Sequence, residues 1–62
     1  MTVHRYVLER RVLKARRLLE IKGDRNTIAA VASMCGFANQ SHMSLAFRRE
    51  FGVTPAEFRH RL

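Results

Sequence analysis

The three glycines of this chain, Gly23, Gly36 and Gly52, each stand at the end of a stretch with helical periodicity, and they cut 62 residues into four short pieces. Glycine weakens a helix interior and accepts the left-handed conformation that ends helices, so each one reads as a stop. None of the four pieces alternates apolar and polar residues with a period of two, and no strand candidate appears. The pattern predicts an all-α chain: a small helical domain of four helices. A chain this short buries only about 60% of its unfolded surface, which leaves material for one core. Its single cysteine, Cys35, excludes an internal disulfide, and the sequence therefore reads as a cytoplasmic domain. It has no signal-peptide pattern and no apolar run approaching ~18 residues.

In the first piece Leu8, Val12, Ala15 and Leu19 fall at i, i+4, i+7 and i+11, one stripe of a helix, while Arg10, Lys14 and Arg17 lie off it. Thr2 is the expected N-cap, and Gly23 followed by Asp24 is the expected stop, giving a helix over 1–22. Val7, Leu13, Leu18 and Ile21 widen its apolar surface beyond what one small partner needs. Asn26 or Thr27 caps a second helix through about Cys35, with Ile28, Val31 and Ala32 as its buried edge. Gly36 relieves crowding in the turn and Phe37 anchors it. Asn39 caps a third helix from Gln40 to about Phe51, which Gly52 closes. The last element, 54–62, is announced by Thr54-Pro55-Ala56-Glu57, a capping box with proline at the first helical position. Val53 and Phe58 stand at the two positions of a hydrophobic staple.

Charge narrows the choice of partner. Twelve Lys+Arg against five Asp+Glu leave a formal charge of +7, and ten of the twelve are arginine, which pairs bidentately with phosphate. A polyanion is the expected partner, and composition alone does not choose between DNA, RNA and an anionic membrane.

At ~100° per residue, Met43, Phe47 and Phe51 share the inward face of the third helix, which is expected to pack on the second. The opposite direction points at Leu45, with Ser41 and Arg48 to one side and His42 and Arg49 to the other. Such a helix fits the major groove of DNA, about 12 Å wide, where an exposed leucine can touch a thymine methyl. A singly exposed leucine is also ordinary on protein surfaces. Two helices joined by a tight glycine turn over 27–52 form a helix-turn-helix, in a homeodomain-like arrangement, although the same order of signals suits an αα-hairpin in a small bundle.

The segment from Ile28 to Arg59, IAAVASMCGFANQSHMSLAFRREFGVTPAEFR, resembles the second helix-turn-helix of AraC/XylS-type bacterial transcription regulators. It carries the Ile-Ala pair, the Gly-Phe turn, the Gln-Ser opening, Phe-Arg, Phe-Gly, Thr-Pro and the closing aromatic-Arg of that pattern. Upstream, Tyr6, Arg11, Ala15, Leu18 and Leu19 resemble the long helix that joins the two helix-turn-helices there. The resemblance implies base contacts from Gln40, Ser41, His42, Ser44 and Leu45; Gln40 would read adenine, and His42 or the serines several bases. It also implies phosphate contacts around Thr27 and Ile28, where free helix N–H groups favour anions. Arg48 and Arg49, with Arg25, are the physical choices for further phosphate contacts. Double-stranded DNA is the implied partner, RNA polymerase a candidate second one, and no cofactor is implied.

The chain departs from the pattern at three positions: Leu45 stands where arginine is frequent, Met43 where an aromatic is usual, and Val3 where a proline often starts the linking helix. The family's unit has two helix-turn-helices, and only the linking helix and the second are expected here, a single partial domain over 1–62. Val7, Leu13 or Ile21 would then be sites where the other half packs. His4, His42, His60 and Cys35 lack metal-ligand spacing, so no metal is expected. The acids Glu9, Glu20, Asp24, Glu50 and Glu57 are scattered, with no acid–base pair, and the chain is not expected to be an enzyme. The competing reading to DNA binding is a remnant that meets a protein or membrane surface through its basic first helix.

Overall fold

The computed structural model describes residues 2–21 and 26–61. Among them are four helices and no strand: α1 (Val3–Glu20), α2 (Ile28–Met34), α3 (Gln40–Phe51) and α4 (Pro55–Arg61). Each begins at a side chain that satisfies an amide the helix cannot. Thr2 Oγ1 accepts from the Arg5 N–H at 3.1 Å, and Thr27 Oγ1 from the Ala30 N–H at 3.0 Å. Asn39 Oδ1 accepts from the His42 N–H at 2.8 Å. At α4 the capping box is reciprocal: the Thr54 N–H donates to Glu57 Oε1 at 3.1 Å and the Glu57 N–H to Thr54 Oγ1 at 3.2 Å. Each such cap is worth about 1 kcal/mol, and of the two residues that could start α2, Thr27 does so.

The helix ends differ in their geometry. α1 stops at Glu20, two residues short of the expected Lys22, because Ile21 is already extended (φ −66°, ψ 118°); the expected stop at Gly23 and Asp24 lies outside the described residues. Gly36, at φ +85°, ends α2 in a Schellman turn, its N–H donating to the Ser33 carbonyl while the Phe37 N–H donates to that of Ala32. Gly52, at φ +78°, closes α3 with a single bond from its N–H to the Arg48 carbonyl at 2.8 Å. Both conformations are ones a side chain with a Cβ adopts at a penalty.

The core is the set that these elements turn inward: Val12, Ala15 and Leu19 from α1, Val31, Ala32 and Cys35 from α2 and its end, Phe37 from the turn, and Met43 and Phe47 from α3. α3 packs against α1 as well as the α2 expected from its face. Phe47 also meets Phe51 and Phe58 edge-on, at 4.7 and 5.6 Å between ring centroids. The Arg16 guanidinium lies over the same two rings, 4.9 Å from that of Phe51, and bonds Glu20 at 3.0 Å. Val53 and Phe58, the staple pair, both rest half-buried against the core. With α1 and α4 holding its inner side, α3 is left with one free edge.

Candidate nucleic-acid interface

That edge begins at a turn which the sequence makes rigid at both sides. The Schellman bonds fix Gly36 and Phe37, the Asn39 cap fixes the first turn of α3, and buried Phe37 meets the His42 ring edge-on at 5.6 Å between centroids. Met43 and Phe47 are wholly buried behind it. On the free side Gln40, Ser41, His42, Arg48 and Arg49 are exposed, and Leu45 is 68% exposed. Ser44 is half-buried on the flank, so the six other side chains define the protruding surface. Neither Arg48 nor Arg49 has an ion-pair partner among the described residues.

A second group of donors lies at the start of α2. Thr27 is exposed and Ile28 half-buried against the core. The Thr27 hydroxyl and carbonyl take the N–H groups of Ala30 and Val31, which leaves those of Ile28 and Ala29 as the open donors of the helix terminus. The Arg59 guanidinium donates from Nη1 to the Asn26 carbonyl just ahead of them. No local signal in the sequence marks this role for Arg59, since the two residues are distant in the chain. Arg25 lies outside the described residues.

The surplus apolar surface of α1 remains in part uncovered: Leu13 is 44% and Ile21 56% exposed, Val7 is half-buried, and Leu18 packs on the core. Val3 and Tyr6 are exposed too. Arg10, Arg11, Lys14 and Arg17 surround an open cleft with Leu13 and Cys35, a grouping that periodicity alone leaves as scattered cations off the stripe. Burial pushes the Cys35 thiol above its ordinary range, against the opposing pull of the Lys14 charge. Among the described residues no three of His, Cys, Asp and Glu come together in a way that holds a metal ion, and no helix is long and apolar enough to cross a membrane.

A family model described as a helix-turn-helix domain matches residues 1–61. The chain is 44% identical over 59 residues to "HTH-type transcriptional activator RhaS" of Escherichia fergusonii, covering 95% of this chain and 20% of that protein. It is 39% identical over 61 residues to "HTH-type transcriptional activator RhaR" of Pectobacterium atrosepticum, covering 98% and 21% respectively. It is also 38% identical over 58 residues to "Probable transcriptional regulator LumQ" of Photobacterium leiognathi, covering 94% and 23%. The chain thus spans about a fifth of the length of the curated relatives it matches. No solved structure matches it.

Proposed function

Because the chain belongs to the helix-turn-helix domains of AraC/XylS-type transcription regulators, we propose that it binds duplex DNA by seating the outward edge of α3 in the major groove. One observation carries the reading: a helix capped at Asn39 and backed by buried Met43 and Phe47 exposes a polar and cationic edge with Leu45 at its centre. An α-helix with its side chains is about 10–12 Å across, the width of that groove. In this mode Gln40, Ser41, His42 and Leu45 meet base edges, with Ser44 at the flank. Arg48 and Arg49 pair with phosphates beside the groove, and the open N–H groups at the start of α2, near Thr27 and Ile28, take a further phosphate. Arg25 is proposed as an additional phosphate contact. Residues 27–52 form the reading unit, and α1 is the helix that links it to a preceding helix-turn-helix in regulators of this kind.

A single reading helix binds weakly, near the non-specific range of about 10⁻⁴–10⁻⁶ M at physiological salt. The test is a titration of a short duplex at several salt concentrations. Affinity is expected to fall as salt rises, with a logarithmic slope of about −0.9 for every phosphate neutralised, and Arg48→Ala or Arg49→Ala each to flatten that slope by about one unit. Gln40→Ala with Ser41→Ala is expected to abolish protection of a preferred site while circular dichroism stays unchanged. Binding that is indifferent to salt would sink the proposal.

A further inference from the structure

The far side of α1 carries a charge cluster that groove binding does not use. Arg10, Lys14 and Arg17 recur at i, i+4 and i+7, and with Arg11 they line an open cleft of about 530 Å³ together with exposed Leu13 and the buried Cys35. The Arg11 side chain lies over the Gly36 turn, so the cleft runs from the middle of α1 to the end of α2. Like charges one helical turn apart repel, and nothing within α1 offsets them. Its acids Glu9 and Glu20 are already paired with Arg5 and Arg16. Among the described residues the four cations have no ion-pair partner at all.

Three occupants suit a basic cleft, and the geometry separates them. Arg10 and Arg17 lie nearly opposite the Val12, Ala15 and Leu19 stripe, while α3 packs on α1 with the side that faces away from Leu45. The cluster and the groove-reading edge therefore stand on opposite sides of the core, and Arg10 and Arg17 face away from a duplex held on α3. A membrane surface needs a broad apolar face to enter the acyl boundary, whereas Leu13 is the single exposed apolar side chain lining the cleft and exposed Val3, Tyr6 and Ile21 lie outside its Arg10 to Arg17 stretch in the chain. One exposed leucine set beside several arginines and a lysine is instead suited to a protein interface, where arginine is enriched and apolar side chains supply the anchor. Arg10 and Arg17 are about 10 Å apart along the axis, the same rise as carboxylates at i and i+7 of a second helix.

We propose that this cleft docks an acidic amphipathic segment of a partner protein, whose carboxylates pair with Arg10, Lys14 and Arg17 while one apolar side chain rests on Leu13. Arginine forks donate two parallel hydrogen bonds to a carboxylate, which gives such a contact direction as well as charge. The inference rests on the groove-binding reading only for the exclusion of a duplex, and the experiment measures the duplex separately.

The probe is a synthetic helical peptide with glutamates at i, i+4 and i+7 and one leucine between them, titrated into the whole 62-residue chain and followed by amide chemical shifts and calorimetry. Shifts are expected along Arg10 to Arg17 and at Cys35 and Gly36. Charge reversal by Arg10→Glu, Lys14→Glu and Arg17→Glu is expected to weaken peptide binding about tenfold or more, and Leu13→Gln roughly threefold. An equal reversal at Arg48, Arg49 and Arg61 controls for net charge and is expected to change it less than about threefold. Circular dichroism confirms that each variant folds, and the exposure of all these side chains favours that. The proposal is overturned if the control reversal weakens the peptide as much as the cluster reversal, or if the shifts fall on α3. It is overturned equally if a duplex or phosphatidylglycerol vesicles perturb the cleft amides more strongly than the peptide does. Failure of the parent chain to bind a duplex, with peptide binding intact, would defeat the groove reading alone.

Discussion

The Arg59 guanidinium on α4 donates a hydrogen bond to the backbone carbonyl of Asn26, a contact between residues 33 positions apart. It ties the last helix to the residue that precedes the α2 cap, next to the open amides of Ile28 and Ala29. Hydrogen bonds to charged groups contribute about 1.5–3 kcal/mol, and partial exposure brings this one to about 1–2. Arg59→Met is therefore expected to lower the melting temperature by roughly 5–10 °C. It should also speed hydrogen exchange at Ile28 and Ala29 more than at the core amides of Phe47. Uniform acceleration across the chain would show that Arg59 contributes to stability without orienting the α2 terminus.

Gly36 and Gly52 both hold positive φ, yet their surroundings differ. A Cβ on Gly36 would stand 3.2 Å from Arg11 Nε, whereas one on Gly52 meets nothing within 4 Å. The left-handed conformation alone disfavours alanine by about 1–2 kcal/mol at either site. Gly52→Ala is expected to show that penalty, and Gly36→Ala a larger one because the Arg11 side chain must move off the turn. Urea midpoints of the two variants measure the difference. Equal midpoints would mean that Arg11 shifts freely.

What was legible in the sequence shares a short range. Thr2, Thr27, Asn39 and the Thr54–Glu57 pair each act on an amide three residues away, a distance fixed by helix geometry whatever the rest of the molecule does. The Gly36 and Gly52 stops are local in the same sense, and the outward edge of α3 follows from angular arithmetic once Met43 and Phe47 are inside. Ile21 turning extended ahead of Gly23 left no such signal, because it is neither a glycine nor before a proline. Contacts between distant elements left none either: Arg59 on Asn26, Arg16 over Phe51 and Phe58, and Arg11 over Gly36 depend on crossing directions that helical periodicity does not encode. The grouping of Arg10, Arg11, Lys14 and Arg17 around Cys35 belongs to the same class. It needs the end of α2 to arrive beside the middle of α1.

Glu57 gives the fold a pH signature. The Thr54 N–H, reinforced by the Thr54 side chain and by Arg61 and Arg48, holds the Glu57 carboxyl below the ordinary glutamate range. A folded value lower than the unfolded one makes the charged box stabilising above the ordinary value of about 4.3, and that contribution disappears as pH falls through the depressed native value. Glu57→Gln keeps an acceptor but cannot ionise. The stability gap between the parent chain and Glu57→Gln is expected to be constant around neutral pH and to close on acidification through that window, as read from denaturant midpoints. A gap that persists in strong acid would show that the carboxylate charge is not its source.

If α3 reads the major groove as proposed, Leu45 is the residue on which base preference turns. It is the exposed large apolar side chain of α3, at 68%, and it stands between Ser41 and Arg49 on the outward edge. As leucine it offers an apolar contact to a thymine methyl, while arginine there would offer a bidentate pair to guanine. A good base contact discriminates by about 1–3 kcal/mol, enough to reorder sequences recovered from a random pool. Selection from randomised duplexes at low salt is expected to return a short motif with thymine at one position, and selection with Leu45→Arg a motif with guanine at or beside it. Both proteins should show nearly the same affinity for unrelated DNA apart from the steeper salt dependence of one added cation. An unchanged motif would remove Leu45 from the reading surface and leave Gln40, Ser41 and His42 to carry the recognition.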